Sequence, residues 1–438
     1  MKDRNRPTER PVMPGPPLSV GYDAVPTVAE LEVDPLPILG RLQSAGLRGE
    51  RISTMLQGVA EDLVAAGLPL GRGHLSVSTL NPMFQAVGTT WYRQSGTADE
   101  EVYDNKDEVY QLWLASPFHH MVASGVLVMR RRLSGPDAQT DFEMLRWLAD
   151  KGFSDWYSRV FGFGLAADPA IMNTAEMGVI FSWAADNEAG FSESQIALLE
   201  TVGHGLAVAV KALAVTEMGQ ALLATYLGRD AATHVIHGAV QRGSMEELDA
   251  VIMYADLRGF TELSERLPAR QVVELLNLYL DAMGEPVEWQ GGQILKFLGD
   301  GFIATFALDG EDPRAVCRKA LAAADGALRR VESFNRDRAA TGLPVMALDV
   351  VLHAGRVQYG NVGTQRRLDF TVIGPAVNQA SRLEQVCKAL DRNLVASRAF
   401  RDAAGGQGFV SLGEVALAGI AAPQEVFAPL PGEAAARR

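Results

Sequence analysis

Apolar positions along the first half of the chain alternate between the helical and the extended repeat. From Leu42 to Ala66 the apolar residues are spaced as on one face of a helix. Residues 75–91 have the pattern of a strand, a loop and a strand, with Asn81-Pro82 as the breaker between them. The polar, acidic stretch 95–107 is expected to be a surface loop. Together these patterns predict a mixed α/β domain.

A second group of elements completes this domain. Strands are expected at 125–132 and 178–184, with a helix at 141–151 between them. Phe191-Ser-Glu-Ser-Gln then opens a long helix with a capping pattern. The last strand and this helix resemble the closing elements of a GAF-type sensor domain, and the rest of 41–210 shares that general layout. The resemblance implies a GAF-like sensor domain at 41–210, with an unknown small-molecule or protein effector.

The long helix carries a heptad repeat that extends past the sensor domain. Its seam consists of Leu199, Val202, Leu206, Ala209, Leu213, Thr216, Gln220, Leu223 and Leu227. The repeat fits an amphipathic helix packed on its own domain, and it also fits a parallel two-stranded coiled coil. Past Lys211 little of the sensor remains to pack against, which favours a coiled-coil linker at 211–245. Polar Thr216 and Gln220 would then help to fix the register.

Composition narrows the class of protein. The 438 residues carry a formal net charge of −13, which argues against a surface that coats nucleic acid. The first 40 residues hold eight of the 21 prolines and are expected to be a poorly ordered arm. No stretch approaches 18 consecutive apolar residues, so no membrane span is expected. Two isolated cysteines, Cys317 and Cys387, and the lack of a signal-peptide pattern favour a cytoplasmic location.

Two aspartates at strand ends are the first candidates for chemistry. Asp256 follows the apolar run 251–255 and precedes Gly259, a position that suits a hard cation near phosphates. Taken alone, an aspartate at this position is more often a helix N-cap. Asp300 lies in Leu298-Gly-Asp-Gly301 at the tip of an expected β-hairpin, where Asp-Gly is also an ordinary turn dipeptide. On adjacent strands, the two carboxylates could hold a pair of Mg²⁺ ions together with substrate phosphates.

Three further side chains are unusual in their setting. Lys296 interrupts an apolar strand, so its ammonium either turns outward to solvent or meets an acceptor in a pocket. Asn378 and Arg382 lie on one face of a helix that begins at Pro375. Such a pair suits the orientation of a sugar and the neutralisation of phosphate charge, although each residue alone is more often a solvated surface group.

The three clusters together resemble the catalytic domain of class III adenylyl and guanylyl cyclases. The motifs are DLRGFT from Asp256, GGxxxKxxGD ending at Asp300, and TVIGxxVNxASRLE ending at Glu384. The resemblance implies a ferredoxin-like βαββαβ domain at 246–438. It also implies site roles: metal binding by Asp256 and Asp300, adenine recognition by Lys296 and Thr371, ribose orientation by Asn378, transition-state stabilisation by Arg382, and a triphosphate-binding backbone at Leu257, Arg258, Gly259, Phe260 and Thr261.

The same resemblance implies the reaction and the assembly. ATP would be converted to 3′,5′-cyclic AMP with two Mg²⁺ or Mn²⁺ ions per site. Lys296 can donate to adenine N1 and Thr371 can accept from the N6 amino group, whereas guanine inverts that edge. In the family, the metal carboxylates come from one protomer and the Lys, Thr, Asn and Arg residues from the other, so a homodimer is expected.

Several alternative functions remain open, and the sequence departs from the family pattern at one position. Guanylyl or mixed specificity and a degenerate regulatory module are the competing interpretations of the domain. Ala418 occupies a position where the family usually has a cation for the triphosphate, so weaker ATP binding is expected. In the sensor, the adjacent His119 and His120 are placed on a strand with a surface or packing role. The tryptophans there are expected in the core: Trp91, Trp113, Trp147, Trp156 and Trp183.

Overall fold

The computed structural model describes residues 31–78, 84–104, 107–166, 176–420 and 422–430. The chain divides into two compact units, Met1–Leu222 and Leu223–Arg438. Most of the expected proline-rich arm, and the Asn81-Pro82 breaker, lie outside the described residues. Each unit is described separately below.

The first unit is a six-stranded antiparallel sheet with helices on both faces. Its elements are α1 (Leu36–Arg48), α2 (Ile52–Ala65), β1 (Leu70–Ser78), β2 (Phe84–Tyr92), β3 (Ala98–Asp104), α3 (Asp107–Leu114), α4 (Pro117–Ser124), β4 (Val128–Arg132), α5 (Glu143–Asp150), β5 (Asp155–Ala166), β6 (Glu176–Ala185) and α6 (Glu193–Leu227). The strand order is β3-β2-β1-β6-β5-β4. One sheet face packs on α1, α2 and α6, and the other packs on α4 and α5. The GAF resemblance of this unit stays a prediction.

Two helices replace the single helix expected between Leu42 and Ala66. Gly49 ends α1 with φ 65°, and its N–H donates to the carbonyls of Ala45 and Gly46. Glycine adopts this left-handed conformation without the steric cost that a Cβ would add. The chain then turns and α2 starts at Ile52, so the apolar faces of both helices reach the same core.

The prediction of a surface loop at 95–107 was wrong, because residues Ala98–Asp104 form β3. This strand lies at the sheet edge and pairs only with β2 among the described strands. The side chains of Asp99, Glu100 and Glu101 on this strand are exposed. The strand gains its hydrogen bonds from β2 across the short connection 93–97 while keeping polar side chains in water, so its sequence carries little apolar signal.

The strand placement of His119 and His120 was also wrong, since both lie on α4. Ser116 caps this helix by accepting from the His119 N–H, and Pro117 occupies its first turn. Both imidazoles lie against aromatic rings, which fits the expected packing role: His119 against Trp113 and His120 against Phe142.

Of the five tryptophans expected in the core, Trp91, Trp156 and Trp183 are fully buried. Trp113 is only partly buried at the edge of the core. Trp147 is 44% exposed, so its core assignment was wrong. Its ring lies beneath the ammonium of Lys151, which covers it from solvent on one side.

Helix α6 is the longest element of the chain. The first five seam residues, from Leu199 to Leu213, are buried in the core of the first unit, whereas Thr216 and Gln220 are exposed. The first half of the seam therefore packs on its own domain, which was one of the two alternatives, and the coiled coil stays a prediction. By length and composition alone, α6 is also long and apolar enough to cross a membrane.

The second unit has a ferredoxin-like core. Its elements are α7 (Arg229–Ile236), β7 (Met245–Arg258), α8 (Phe260–Ser264), α9 (Ala269–Trp289), β8 (Gln293–Leu298), β9 (Gly301–Ala307), α10 (Pro313–Ala340), β10 (Ala347–Gly363), β11 (Leu368–Ile373), α11 (Pro375–Ala389), β12 (Leu394–Ser397), α12 (Arg398–Ala403), β13 (Phe409–Val415) and β14 (Gln424–Pro429). The sheet order is β13-β14-β12-β10-β7-β9-β8, and β11 pairs with β10. The βαββαβ order predicted from the sequence is confirmed.

The central strand β7 positions the rest of this unit. Its residues 250–253 and 255 are fully buried, because α9 and α10 cover one face and α11 packs on the other. A strand that is covered on both faces needs a nearly continuous apolar run, which the sequence supplies at 250–253. The same burial leaves the carboxyl end of β7, with Asp256, at the edge of the core.

Candidate active site

Asp256 lies near the carboxyl end of β7, on the face that carries Tyr254. It is half-buried, while the following residue Leu257 points into the core. Gly259 then turns the chain with φ 94° and leads into α8. The left-handed turn is compatible with glycine and sends the backbone sharply away from the strand. The predicted triphosphate segment, Leu257 to Thr261, is therefore the turn between β7 and α8.

Asp300 lies in the turn of the hairpin between β8 and β9, next to Asp256. The hairpin is paired from Leu298 to Gly301, and β9 pairs with β7 at Phe302 and Ala255. A Cβ on Gly301 would overlap the Ala255 carbonyl oxygen and the Asp256 carboxylate. Glycine at this position thus allows the two strands to approach until both carboxylates share one small region.

The electrostatics of this region favour a bound cation. Burial, followed by the charges of Asp300, Glu384 and Asp349, raises the pKa of Asp256 to about 7. Burial also raises the pKa of Asp300. Neighbouring carboxylates whose pKa values are raised by burial and by nearby negative charge are stabilised in their charged form by a cation between them.

The donor set fits a metal that is shared with substrate. Among the described residues, no group of three or more His, Cys, Asp and Glu side chains is arranged to hold an ion. Asp256 and Asp300 together supply two carboxylate ligands for an ion. Mg²⁺ is typically bound through one or two carboxylates together with phosphate oxygens and water. The pair is therefore suited to ions that arrive with a phosphorylated ligand.

Arg258 has a structural partner close to the site. Its guanidinium donates to both Asp349 oxygens, with distances of 2.6 and 3.0 Å, and Asp349 is 3% exposed. The pairing holds the base of the turn between β7 and α8, and it neutralises a carboxylate that lies opposite Asp256 in the β7–β10 pair. From the sequence, a role was predicted only for the backbone of Arg258.

Lys296 faces outward from the edge strand β8. A register irregularity between Ile294 and Lys296 redirects its side chain. The ammonium donates to the carboxylate of Asp369 on β11, and both side chains are about half exposed. Thr371 lies two residues after Asp369, on the same face of β11. The structure thus brings Lys296 and Thr371 to one surface, and Asp369 joins them.

Asn378 and Arg382 lie on the outer side of α11. Asn378 is exposed and Arg382 is partly exposed. In the described part of the chain, no hydrogen bond or ion pair connects these two side chains with the Asp256–Asp300 pair or with Lys296. A Cβ on Gly419 would lie 3.3 Å from Nη2 of Arg382, so Arg382 borders the loop that contains Ala418.

Three acidic residues near the candidate site were missed from the sequence. Asp349 and Glu384 act on Asp256 through their charge, and Asp369 pairs with Lys296. Asp349 comes from β10, which pairs with β7 only in the folded sheet. A carboxylate within an otherwise apolar run, as at 347–352, is the signal that could have identified it.

We expect Asp256→Asn to stabilise the metal-free protein against unfolding at pH 8. A folded pKa of about 7, against 3.8 for the unfolded chain, means that the folded state loses stability as pH rises through that window. An uncharged side chain avoids this loss, which we expect to be on the order of 2 kcal/mol after solvent screening at this half-buried site. Thermal melts between pH 5 and pH 8, in chelator, would measure the difference.

The matched control is Asp281→Asn, at an exposed position on α9. Its melting temperature should follow that of the parent at every pH. A stability difference for Asp256→Asn that stays constant from pH 5 to pH 8 would contradict the raised pKa, because only a titrating group gives a pH-dependent difference.

Comparisons with known proteins agree with the geometry of the second unit. Residues 244–424 match the family model of the adenylate and guanylate cyclase catalytic domain. The chain is 35% identical over 160 residues to the adenylate cyclase of Anabaena cylindrica, covering 36% of this chain and 31% of the relative. It is 35% identical over 154 residues to adenylate cyclase 1 of Rhizobium meliloti, covering 34% of this chain and 23% of the relative.

The chain therefore spans less than a third of the length of each of these relatives. Among solved structures, the adenylyl cyclase CyaB from P. aeruginosa is similar with 26% identity and a TM-score of 0.39, covering 42% of this chain and 94% of that chain. The family match includes the three motifs and every residue of the candidate site. Residues 244–424 are thus an adenylate and guanylate cyclase catalytic domain.

Proposed function

We propose that this chain is an adenylate cyclase that converts ATP to 3′,5′-cyclic AMP and pyrophosphate at sites formed by a homodimer, under the control of its N-terminal unit. The observation that carries the proposal is the pair of adjacent carboxylates, Asp256 and Asp300, whose pKa values are both raised. The names of the two bacterial relatives, both adenylate cyclases, support ATP as the substrate.

Asp256 and Asp300 would hold two divalent cations, Mg²⁺ or Mn²⁺. When bound, such ions lower the pKa of the ribose 3′-hydroxyl and neutralise the phosphates. The backbone N–H groups of the turn after β7 would bind the triphosphate, because the exposed amides at the start of a helix attract anions. Asn378 would orient the ribose, and Arg382 would stabilise the charge that develops as the 3′-oxygen attacks the α-phosphorus.

Lys296 and Thr371 would select adenine. The Lys296 ammonium has three donors, so it can keep its bond to Asp369 and still donate to adenine N1. The Thr371 hydroxyl would accept from the N6 amino group. Asp369 is then a positioning residue, because it restricts the long lysine side chain to the side of the sheet where Thr371 lies.

A homodimer explains why the site residues of one chain fall into separate groups. The carboxylates occupy one region, and Asn378 and Arg382 are presented outward on α11. Apolar side chains on the same surface as Thr371 are exposed, with Ile373 at 45% and Val362 at 36%. Exposed apolar groups beside outward-facing polar groups are typical of a surface that binds a partner. A two-fold dimer would complete two equivalent sites.

We expect Asp300→Ala to lower cyclic AMP formation by at least about 100-fold, because one of the two carboxylate ligands is lost. The assay would use purified full-length protein with ATP and either Mg²⁺ or Mn²⁺. Asp281→Ala, which removes an exposed carboxylate from α9, is the control and should retain parental activity. Equal activity of Asp300→Ala and the parent would refute the metal assignment.

Lys296→Glu should reduce kcat/KM for ATP by about 100-fold and shift the preference toward GTP, because a carboxylate accepts where the ammonium donates. Turnover of both nucleotides by parent and variant measures the shift. Lys319→Glu, which reverses an exposed lysine on α10, is the control. If the parent prefers GTP, the adenylate cyclase assignment is replaced by a guanylyl one.

Mixing two inactive variants tests the division of the site between protomers. Asp256→Asn removes a metal ligand and Arg382→Ala removes the transition-state cation. A mixed dimer then holds one intact site and one doubly defective site. An equal mixture should recover about a quarter of the parental activity after subunit exchange. Asp256→Asn mixed with Asp300→Ala should stay inactive, because both changes affect the same half-site. Recovery in neither mixture would argue against shared sites.

A further inference from the structure

A polar patch lies on the face of the first sheet that packs against α4 and α5. Residues directly opposite in an antiparallel pair share a face. The register therefore gives two adjacent rows across the strands, Tyr92–Arg72–Ala184–Trp156 and Thr90–His74–Ser182–Ser158. Apolar residues of this face border the two rows, including Met121, Leu145 and Ile180, and the exposed Asp99 of β3 continues the second row at the sheet edge. A polar group of this kind inside an apolar layer requires hydrogen-bond partners.

Three buried polar atoms of the patch have no such partner. Arg72 is 7% exposed, and its Nη1 is unpaired, while its Nε donates to the Tyr92 hydroxyl at 3.3 Å. The Ser182 hydroxyl and the Trp156 indole N–H are also unpaired, and both residues are fully buried. Buried groups without partners are rare in folded proteins, and their clustering indicates an absent ligand.

Arg72 differs from Arg130, which forms a buried ion pair in the same sheet. Arg130 donates to Asp155, a fully buried carboxylate, at 2.8 Å. In the described part of the chain, no aspartate or glutamate pairs with Arg72. A buried guanidinium without a carboxylate is costly unless an anion is supplied from elsewhere. Arginine binds carboxylate and phosphate groups through paired N–H donors.

Aromatic rings and small side chains lie beside Arg72 and His74 in this layer. Phe118 of α4 stacks on His74 with ring centroids 5.7 Å apart, and it lies 6.0 Å from the Trp156 ring. Ala184 separates Arg72 from Trp156, and Ser182 lies beside His74. Aromatic side chains next to small residues favour a flat ring over a bulky group.

We propose that this patch binds a small planar aromatic molecule that carries an anionic group. The anion pairs with Arg72. The ring lies against Phe118 and Trp156, and a polar ring substituent bonds to the Ser182 hydroxyl and the Trp156 N–H. The site belongs to the first unit and is separate from the proposed cyclase site. It gives the N-terminal unit a defined class of effector.

Isothermal titration of the full-length protein would test the site with four probes. Benzoate and phenyl phosphate carry a ring with an anion, benzamide carries the ring alone, and inorganic phosphate carries the anion alone. At least one of the first two should bind with saturation, at least about tenfold more tightly than benzamide and phosphate. The better of the two identifies a carboxylate or a phosphate as the anion.

Variants separate a binding role from a structural role. Arg72→Gln should lower the affinity for the anionic probe by at least about tenfold, to that measured for benzamide. Its melting temperature should equal or exceed that of the parent, because a buried cation without a carboxylate partner is removed. Ser182→Val removes the hydroxyl that bonds to the ring substituent and should abolish binding with Arg72 in place. Arg93→Gln, at a partly exposed arginine that pairs with Asp186, is the control and should bind as the parent does.

Binding by Asp300→Ala should equal that of the parent, so a failure of the cyclase proposal would leave this result unchanged. The proposal is overturned if neither anionic probe binds with saturation, or if benzamide binds as tightly as benzoate. Unchanged affinity in Arg72→Gln or in Ser182→Val would overturn it as well.

Discussion

The repulsion between the Asp256 and Asp300 carboxylates is the interaction around which the second unit is organised. The strands β7 and β9 can bring these groups together only because Gly301 has no side chain. Burial at the edge of the core then limits solvation, and the pKa of Asp256 rises to about 7. The sheet thus holds an unfavourable arrangement that a divalent cation with phosphate ligands would relieve.

The fold distributes the cost of this arrangement over several elements. The apolar run of β7 is packed between helices on both faces, so the strand that carries Asp256 is firmly placed. Arg258 neutralises Asp349, the carboxylate opposite Asp256, without reaching between the two candidate metal ligands. Stability in the core therefore supports a local arrangement that is unfavourable by itself, which is a common property of active sites.

Uncompensated charge appears in both units with opposite sign. In the second unit, burial and neighbouring carboxylates raise the pKa of Asp256, and in the first unit no aspartate or glutamate of the described residues pairs with the buried Arg72. In contrast, Arg130 and Asp155 in the first unit form a complete buried pair. The physical logic is the same in each case: a charge that folding leaves without a partner indicates a ligand of the opposite charge.

The sequence by itself determined the βαββαβ order of the second unit and the identity of its candidate site residues. Turn chemistry at Gly259 and Gly301 and helix spacing at Asn378 and Arg382 are local properties, so they can be recognised along the chain. Only the tertiary structure decided which groups meet. The approach of Asp349 to Asp256 and the pairing of Asp369 with Lys296 depend on strand neighbours distant in sequence. Strand β3 pairs with its neighbour in sequence, and it was missed because its exposed acidic residues give no apolar pattern. The lack of a carboxylate partner for Arg72 among the described residues could not be predicted either, because hydrogen-bond partners across a sheet follow from register, which no local pattern of residues specifies.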